Sequence, residues 1–213
     1  EDIDICLRIL KNGHVNLLCR NSFVIHFGSK SFSVLQKQGQ NYGSLLEKNS
    51  KKLGEKLGFN PWEAFRCVKR AAFNQIKSDH KKPFQVLELG SGIGSTAALI
   101  KTAFQNAVYT GIEAESRMAA YAGAFGDIIT GSYLDIDPGD YFGKAQFDVI
   151  IYSEADDKEI VKKYSPYLKK DGQLINEKSR PLLSISMLCN GAHKEETKKC
   201  LEALMTIKNR LSS

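Results

Sequence analysis

The chain has 213 residues, 42% hydrophobic and 25% charged, enough for one domain with a buried core, or one domain with an appendage. No apolar run reaches the roughly 20 residues of a membrane span, and the start lacks a charged-then-apolar secretion signal, so neither a helical membrane protein nor a signal peptide is indicated. Lys and Arg number 30 against 24 Asp and Glu, and the resulting charge of +6 suits a polyanionic partner such as RNA.

"ICLRIL" and "VNLLCR" flank the Asn12-Gly13 turn signal and predict a β-hairpin; "FVIHF" and "SFSVL" around "GSK" predict a second. Residues 1–38 are therefore expected to be a small N-terminal β extension, followed by a domain over 39–213. "QGQNYGS" is a polar break. Residues 44–57 predict a lysine-rich helix. A second helix is predicted over 60–77, with Asn60 as cap, Pro61 in the first turn, and Trp62, Phe65, Val68, Ala72, Phe73 and Ile76 at helical spacing.

From Phe84 onwards strands and helices alternate. "FQVLEL", "AVYTGIE", "DIITGSYL", "FDVIIYS" and "GQLINEK" predict strands, and "PLLSISMLC" predicts one more. "STAALIKTAFQ", "SRMAAYAGAF", "DKEIVKKYSPYLKK" and "KEETKKCLEALMTIKNRL" predict helices. This order implies an α/β fold, a mostly parallel sheet with helices on both faces. Five scattered cysteines contain no CxxC pair, and the four histidines share no ligand spacing, so no structural metal is expected.

"VLELGSGIGS" joins the first of these strands to its helix. Gly90, Gly92 and Gly94 let the backbone approach a ligand closely. A nicotinamide fingerprint G-x-G-x-x-G would put its third glycine at Ser95, and an acid before the turn repels a pyrophosphate. S-adenosylmethionine carries a sulfonium and an ammonium but no phosphate, and Glu88, placed at the rim, suits that charge.

With these motifs the stretch from about 84 to 180 resembles a class I S-adenosylmethionine-dependent methyltransferase with a Rossmann-like sheet. The resemblance makes Glu88, Gly90, Ser91, Gly92 and Gly94 cofactor-binding. It places Glu113, 23 residues after Gly90, on the ribose hydroxyls. It puts the adenine against Ser132 and the Tyr133 backbone, with Asp127 and Asp135 as nearby substitutes. "FDVIIYSEAD" stands where the family's fourth motif faces the transferable methyl. That segment has no proline pair for an exocyclic amine and no Pro-Cys nucleophile, and Ser153 stands where a ribose 2′-O enzyme has its Asp. Guanine N7 keeps its lone pair and needs no base. Tyr152 and Glu154 are then expected to stack on and bind the guanine, with Tyr164 and Tyr167 as further platforms.

With its basic charge, a methyltransferase core that has no amine-type motif, and Glu1 rather than methionine as first residue, the chain as a whole resembles an mRNA cap guanine-N7 methyltransferase cut from a nidovirus (torovirus-like) replicase polyprotein. The expected partner is capped RNA, the expected place the host cytoplasm, and the expected state a monomer. Open alternatives are a ribose 2′-O methyltransferase using Glu177 or Asp156, a small-molecule or protein methyltransferase, and a non-catalytic RNA-binding module.

Overall fold

The computed structural model describes residues 2–17, 19, 21–23, 25, 41–77, 82–153 and 158–179. The second predicted hairpin, the boundary at 38, the predicted strand at 181–189 and the last predicted helix lie outside these residues, wholly or in large part.

The first predicted hairpin is not formed: "ICLRIL" lies inside a helix, α1 (Asp2–Lys11). Ile3, Leu7 and Leu10 recur at helical spacing and meet the core, and Asp4 pairs with Arg8 one turn on at 3.5 Å. Asp2 and Asp4 in the first turn, and Arg8 and Lys11 in the last, match the helix dipole. Asn12-Gly13 works as a helix stop: Gly13 is left-handed at φ 76° and its N–H donates to the Leu10 carbonyl. The chain from His14 to Leu17 has no regular structure.

Helix α2 (Tyr42–Leu57) matches its expectation and ends on Gly58, left-handed at φ 78°. The single helix predicted over 60–77 is two short ones, α3 (Pro61–Arg66) and α4 (Arg70–Phe73). Asn60 caps α3 as expected, accepting from the Trp62 N–H at 3.0 Å. The break at 67–69 is held open from outside. The Lys69 N–H donates to Thr96 Oγ1 at 3.0 Å, and the Glu177 carboxylate accepts from the N–H groups of Ala71 and Ala72.

Then follow β1 (Phe84–Leu89), α5 (Ser95–Ala103), β2 (Ala107–Glu113), α6 (Ser116–Ala122), β3 (Asp127–Thr130), β4 (Phe147–Tyr152), α7 (Lys158–Tyr164) and β5 (Leu168–Asn176). The helix expected to run to Lys170 stops at Tyr164: Pro166 lacks the N–H that would continue it, a 3-10 turn follows over Ser165–Tyr167, and β5 begins at Leu168. The five strands are parallel in the order β3-β2-β1-β4-β5, so the order reverses between β1 and β4. Ligands of open α/β sheets bind at the carboxyl ends of such a pair.

Strand parity sorts the core. Phe84, Val86, Tyr109, Val149 and Ile151 pack on one face with Ala97 and Ile100 of α5 and with Phe104, which caps that helix. Leu87, Leu89, Ile112, Ile150 and Tyr152 pack on the other with Ile160 and Tyr164 of α7. A third cluster joins Leu7, Leu57, Phe59 and Ala64 to Ile93 and Tyr121. No helix among the described residues is long and apolar enough to cross a membrane.

Leu7 is 1% exposed in this third cluster. Leu7→Ala is expected to cost about 2–4 kcal/mol, read as a lower denaturant midpoint at unchanged slope. An unmoved midpoint would mean that α1 contributes nothing to this core.

Candidate active site

The glycine turn leaves β1 at the point where the strand order reverses. Gly90, Gly92 and Gly94 have φ of 71°, 57° and 84°, all left-handed. Their roles differ. A Cβ on Gly92 would meet nothing within 4 Å, so this side of the turn has room for another molecule. A Cβ on Gly94 would come 2.7 Å from the Phe125 ring and 3.0 Å from Ala122 Cα, so this glycine serves packing.

The turn's amides point inward. Gly90 and Ser91 N–H both donate to the Ile112 carbonyl, at 2.9 and 3.0 Å, and Gly94 N–H donates to Ser91 O at 3.0 Å. Gly92 N–H donates to Glu113 Oε2 at 2.7 Å. Groups so engaged do not cradle a pyrophosphate, which agrees with the glycine spacing. Among the described residues, Ser91 Oγ is buried and has no hydrogen-bond partner.

Glu113 ends β2 and is 9% exposed. Its Oε1 accepts from the Glu115 N–H at 2.9 Å, so one carboxylate ties the glycine turn to the start of α6. Each carboxylate oxygen has two lone-pair positions, so both oxygens can accept again, as the two hydroxyls of a ribose require. Gly131 N–H donates to the Glu113 carbonyl at 2.9 Å and brings the end of β3 to the same edge. Beyond it, Ser132 Oγ accepts from Leu134 N–H at 3.2 Å. The Tyr133 carbonyl accepts from the Tyr164 hydroxyl at 2.7 Å, and the Tyr133 ring comes within 3.5 Å of where a Gly90 Cβ would sit. Gly90, Ser91, Gly92, Glu113, Ser132 and Tyr133 thus gather at the carboxyl edge.

Other expectations are corrected. Glu88 is not at the rim: it has the parity of Phe84 and Val86 and is wholly buried. Its Oε1 accepts from Lys69 Nζ at 2.6 Å and its Oε2 from the Tyr109 hydroxyl at 2.5 Å. Tyr152 has the parity of Ile150 and is 3% exposed in the core, so its ring offers no face for stacking. Tyr164 and Tyr167 are buried in the same cluster. Asp127 begins β3, opposite Thr110, and so lies at the far end from Glu113, which pairs with Thr130. Asp135 is exposed after β3. Glu177 is engaged in capping α4. Glu154 and Asp156 lie outside the described residues.

Lys69 was not foreseen. It is 7% exposed, and its ammonium also donates to the Gly90 carbonyl at 2.5 Å. No spacing in the sequence announces it, but the parity of Phe84-Val86-Glu88 does signal a buried acid, and a buried acid needs a donor. Burial first, with the Glu88 charge beside it, pushes the Tyr109 phenol well above its ordinary range.

No protein-family model matches the chain, and no curated protein matches it. Methyltransferases are among the solved structures that match. Phosphoethanolamine N-methyltransferase 2 of Haemonchus contortus, in complex with phosphomonomethylethanolamine and S-adenosylhomocysteine, aligns at 17% identity with a TM-score of 0.43, over 51% of this chain and 27% of its own. A predicted O-methyltransferase of Agrobacterium tumefaciens aligns at 14% with a TM-score of 0.42, over 50% of this chain and 59% of its own. An S-adenosylmethionine-dependent methyltransferase of Aquifex aeolicus aligns at 13% with a TM-score of 0.37, over 46% of this chain and 57% of its own. The chain spans about a quarter of the nematode enzyme's length. At identities this low, the chemistry of the site has to be read from the chain's own residues.

Gly92→Ala is expected to fold with a loss of about 1–2 kcal/mol, the cost of a left-handed alanine. Gly94→Ala adds a clash to that cost and should lose clearly more in the same denaturant titration; equal losses would remove the distinction between the two glycines. Tyr109 also gives a pH dependence. Its folded pKa is raised, so its contribution is complete below the ordinary tyrosine value of 10.0 and falls as pH rises past it, where the unfolded chain ionises first. Tyr109→Phe should flatten this alkaline loss of stability relative to the parent chain.

Proposed function

We propose that this chain is an S-adenosylmethionine-dependent RNA methyltransferase whose acceptor is guanine N7 of an mRNA cap. The observation that carries methyl transfer is the clamp of Glu113 on Gly92. A carboxylate with acceptor capacity to spare stands at the end of β2, beside a turn that has room at Gly92 and amides engaged internally. This fits a ribose and a phosphate-free cofactor better than a dinucleotide. Glu113 would hold the ribose hydroxyls, while Ser91, Ser132 and Tyr133 would border the rest. When bound, the cofactor supplies a methyl group already activated by its sulfonium. The chain's own residues then position the acceptor and exclude water.

The RNA part rests on charge. Lys48, Lys51 and Lys52 are exposed on α2, and Lys56 pairs with Asp4 at 2.6 Å. Trp62, 50% exposed, is held to this helix by its indole Nε1, which donates to Ser50 Oγ at 2.9 Å. A basic helix carrying an exposed aromatic ring suits a single-stranded nucleic acid, and Trp62 replaces the buried Tyr152 as the candidate stacking surface. The N7 atom is favoured because the segment Tyr152-Ser153-Glu154 has no proline pair for an exocyclic amine and no Pro-Cys nucleophile, and has Ser153 where a ribose 2′-O enzyme has its Asp.

Radiolabelled methyl transfer to capped and uncapped RNA tests the whole reading. Digestion of the capped product should release 7-methylguanosine. A 2′-O-methyl nucleoside would move the acceptor to ribose, and no transfer to any RNA would leave a small-molecule or protein acceptor. Glu113→Ala should weaken cofactor binding by about 1.5–3 kcal/mol. Replacing Lys48, Lys51 and Lys52 together by Ala should flatten the salt dependence of RNA affinity, whereas an unchanged slope would exclude α2 from the RNA path.

A further inference from the structure

A lysine ammonium has three donors. At Lys69, Glu88 Oε1 takes one at 2.6 Å and the Gly90 carbonyl another at 2.5 Å. The two members of this ion pair differ in reach: the Glu88 side chain is 0% exposed, while that of Lys69 keeps 8%. A molecule approaching from solvent can therefore touch the Lys69 side chain but not Glu88.

This reverses the charge that the sequence alone attaches to the glycine turn. An ammonium or sulfonium could reach Glu88 only by displacing Lys69, and that exchange would break a buried, hydrogen-bonded pair. The Lys69 backbone resists the move as well, because its N–H is fixed to Thr96 Oγ1 at the start of α5. The pair stays together, and what it offers the site is a positively charged N–H next to Gly90.

We infer that Lys69 is a cofactor-binding residue whose remaining N–H receives an anion, the carboxylate at the amino-acid end of the cofactor. The assignment rests on the methyl-transfer reading, which provides a cofactor with such a carboxylate. It also separates the roles of the two acids. Glu113 takes the ribose, and Glu88 holds Lys69 in place without touching the ligand.

Calorimetry with S-adenosylmethionine and its decarboxylated analogue tests this without any turnover. The parent chain should bind the complete cofactor about 10- to 100-fold more tightly, the weight of one charge-assisted hydrogen bond. Lys69→Arg should keep part of that preference, and Lys69→Met should abolish it. Because Lys69→Met strands Glu88, the double variant Lys69→Met/Glu88→Gln provides the same comparison with both charges removed, and thermal melting verifies that each variant is folded. Equal affinity of the parent for the two molecules would overturn the assignment while leaving the methyl-transfer reading intact. So would a folded Lys69→Met that keeps the preference, or one that binds S-adenosylmethionine more tightly and so shows Lys69 to be a competitor. Failure of the parent to bind either molecule would overturn both.

Discussion

A carboxylate at the end of a buried parallel strand has to be paired, and at Glu88 this requirement organises the chain around it. Left alone it would carry the desolvation penalty of an isolated charge, several kcal/mol even after relaxation. Tyr109 on the neighbouring strand supplies one hydrogen bond and Lys69 supplies the other. To deliver an ammonium there, the chain before β1 must run close to the strand's end. A continuous helix over 60–77 gives way to α3 and α4 with a break at 67–69. The break is fixed from two further sides, by Thr96 of α5 and by Glu177 after β5. Residues far apart in the sequence thus converge on one acid.

The same edge holds a second carboxylate in a different state. Glu113 accepts only from backbone N–H groups, those of Gly92 and Glu115, and has no cation beside it among its described partners. It keeps spare acceptor positions beside the turn. The two acids are thereby divided into one that shapes the protein and one available to a ligand. That division follows from neither parity nor residue type, since Glu113 has the parity of Tyr109 and so shares a sheet face with Glu88. Glu88 lies inside the strand end and is paired by Lys69, whereas Glu113 is the last residue of its strand and accepts from the backbone N–H groups of Gly92 and Glu115.

How much of this was legible in the sequence follows the range of the interactions. From β1 to β4 the alternation of strand and helix was readable, because each element is set by its own apolar period and by the Gly-rich joint between them. The glycine turn is legible from its own residues, and Glu113 from the family resemblance that the turn and the acid 23 residues after Gly90 carry. What misled was the assumption that a residue at a strand's carboxyl end faces the ligand. Tyr152 and Glu88 both obey the parity of their strands and are buried by it. Asn12-Gly13 is a strong hairpin signal, but glycine in the left-handed region also ends a helix, and the stripe of Ile3, Leu7 and Leu10 decided between the two. Lys69 could not be read at all, since a salt bridge spanning 19 residues leaves no mark on local pattern.

The N-terminal helices are joined to the glycine turn by one side chain. Ile93 lies between Gly92 and Gly94 and is 3% exposed, packed in the cluster with Leu7, Leu57, Phe59, Ala64 and Tyr121. The turn therefore faces two ways. Gly92 leaves open the side where a cofactor would lie, and Ile93 plugs the turn into the core beneath α1 and α2. The helix that carries Lys48, Lys51 and Lys52 contributes Leu57 to that core, while α1 contributes Leu7 and, through Asp4, neutralises Lys56. Because well-packed interiors transmit displacement instead of absorbing it, the height of the glycine turn and the position of the basic helix are set by a shared set of contacts. An acceptor held on α2 and a cofactor held at Gly92 would be registered against each other through Ile93.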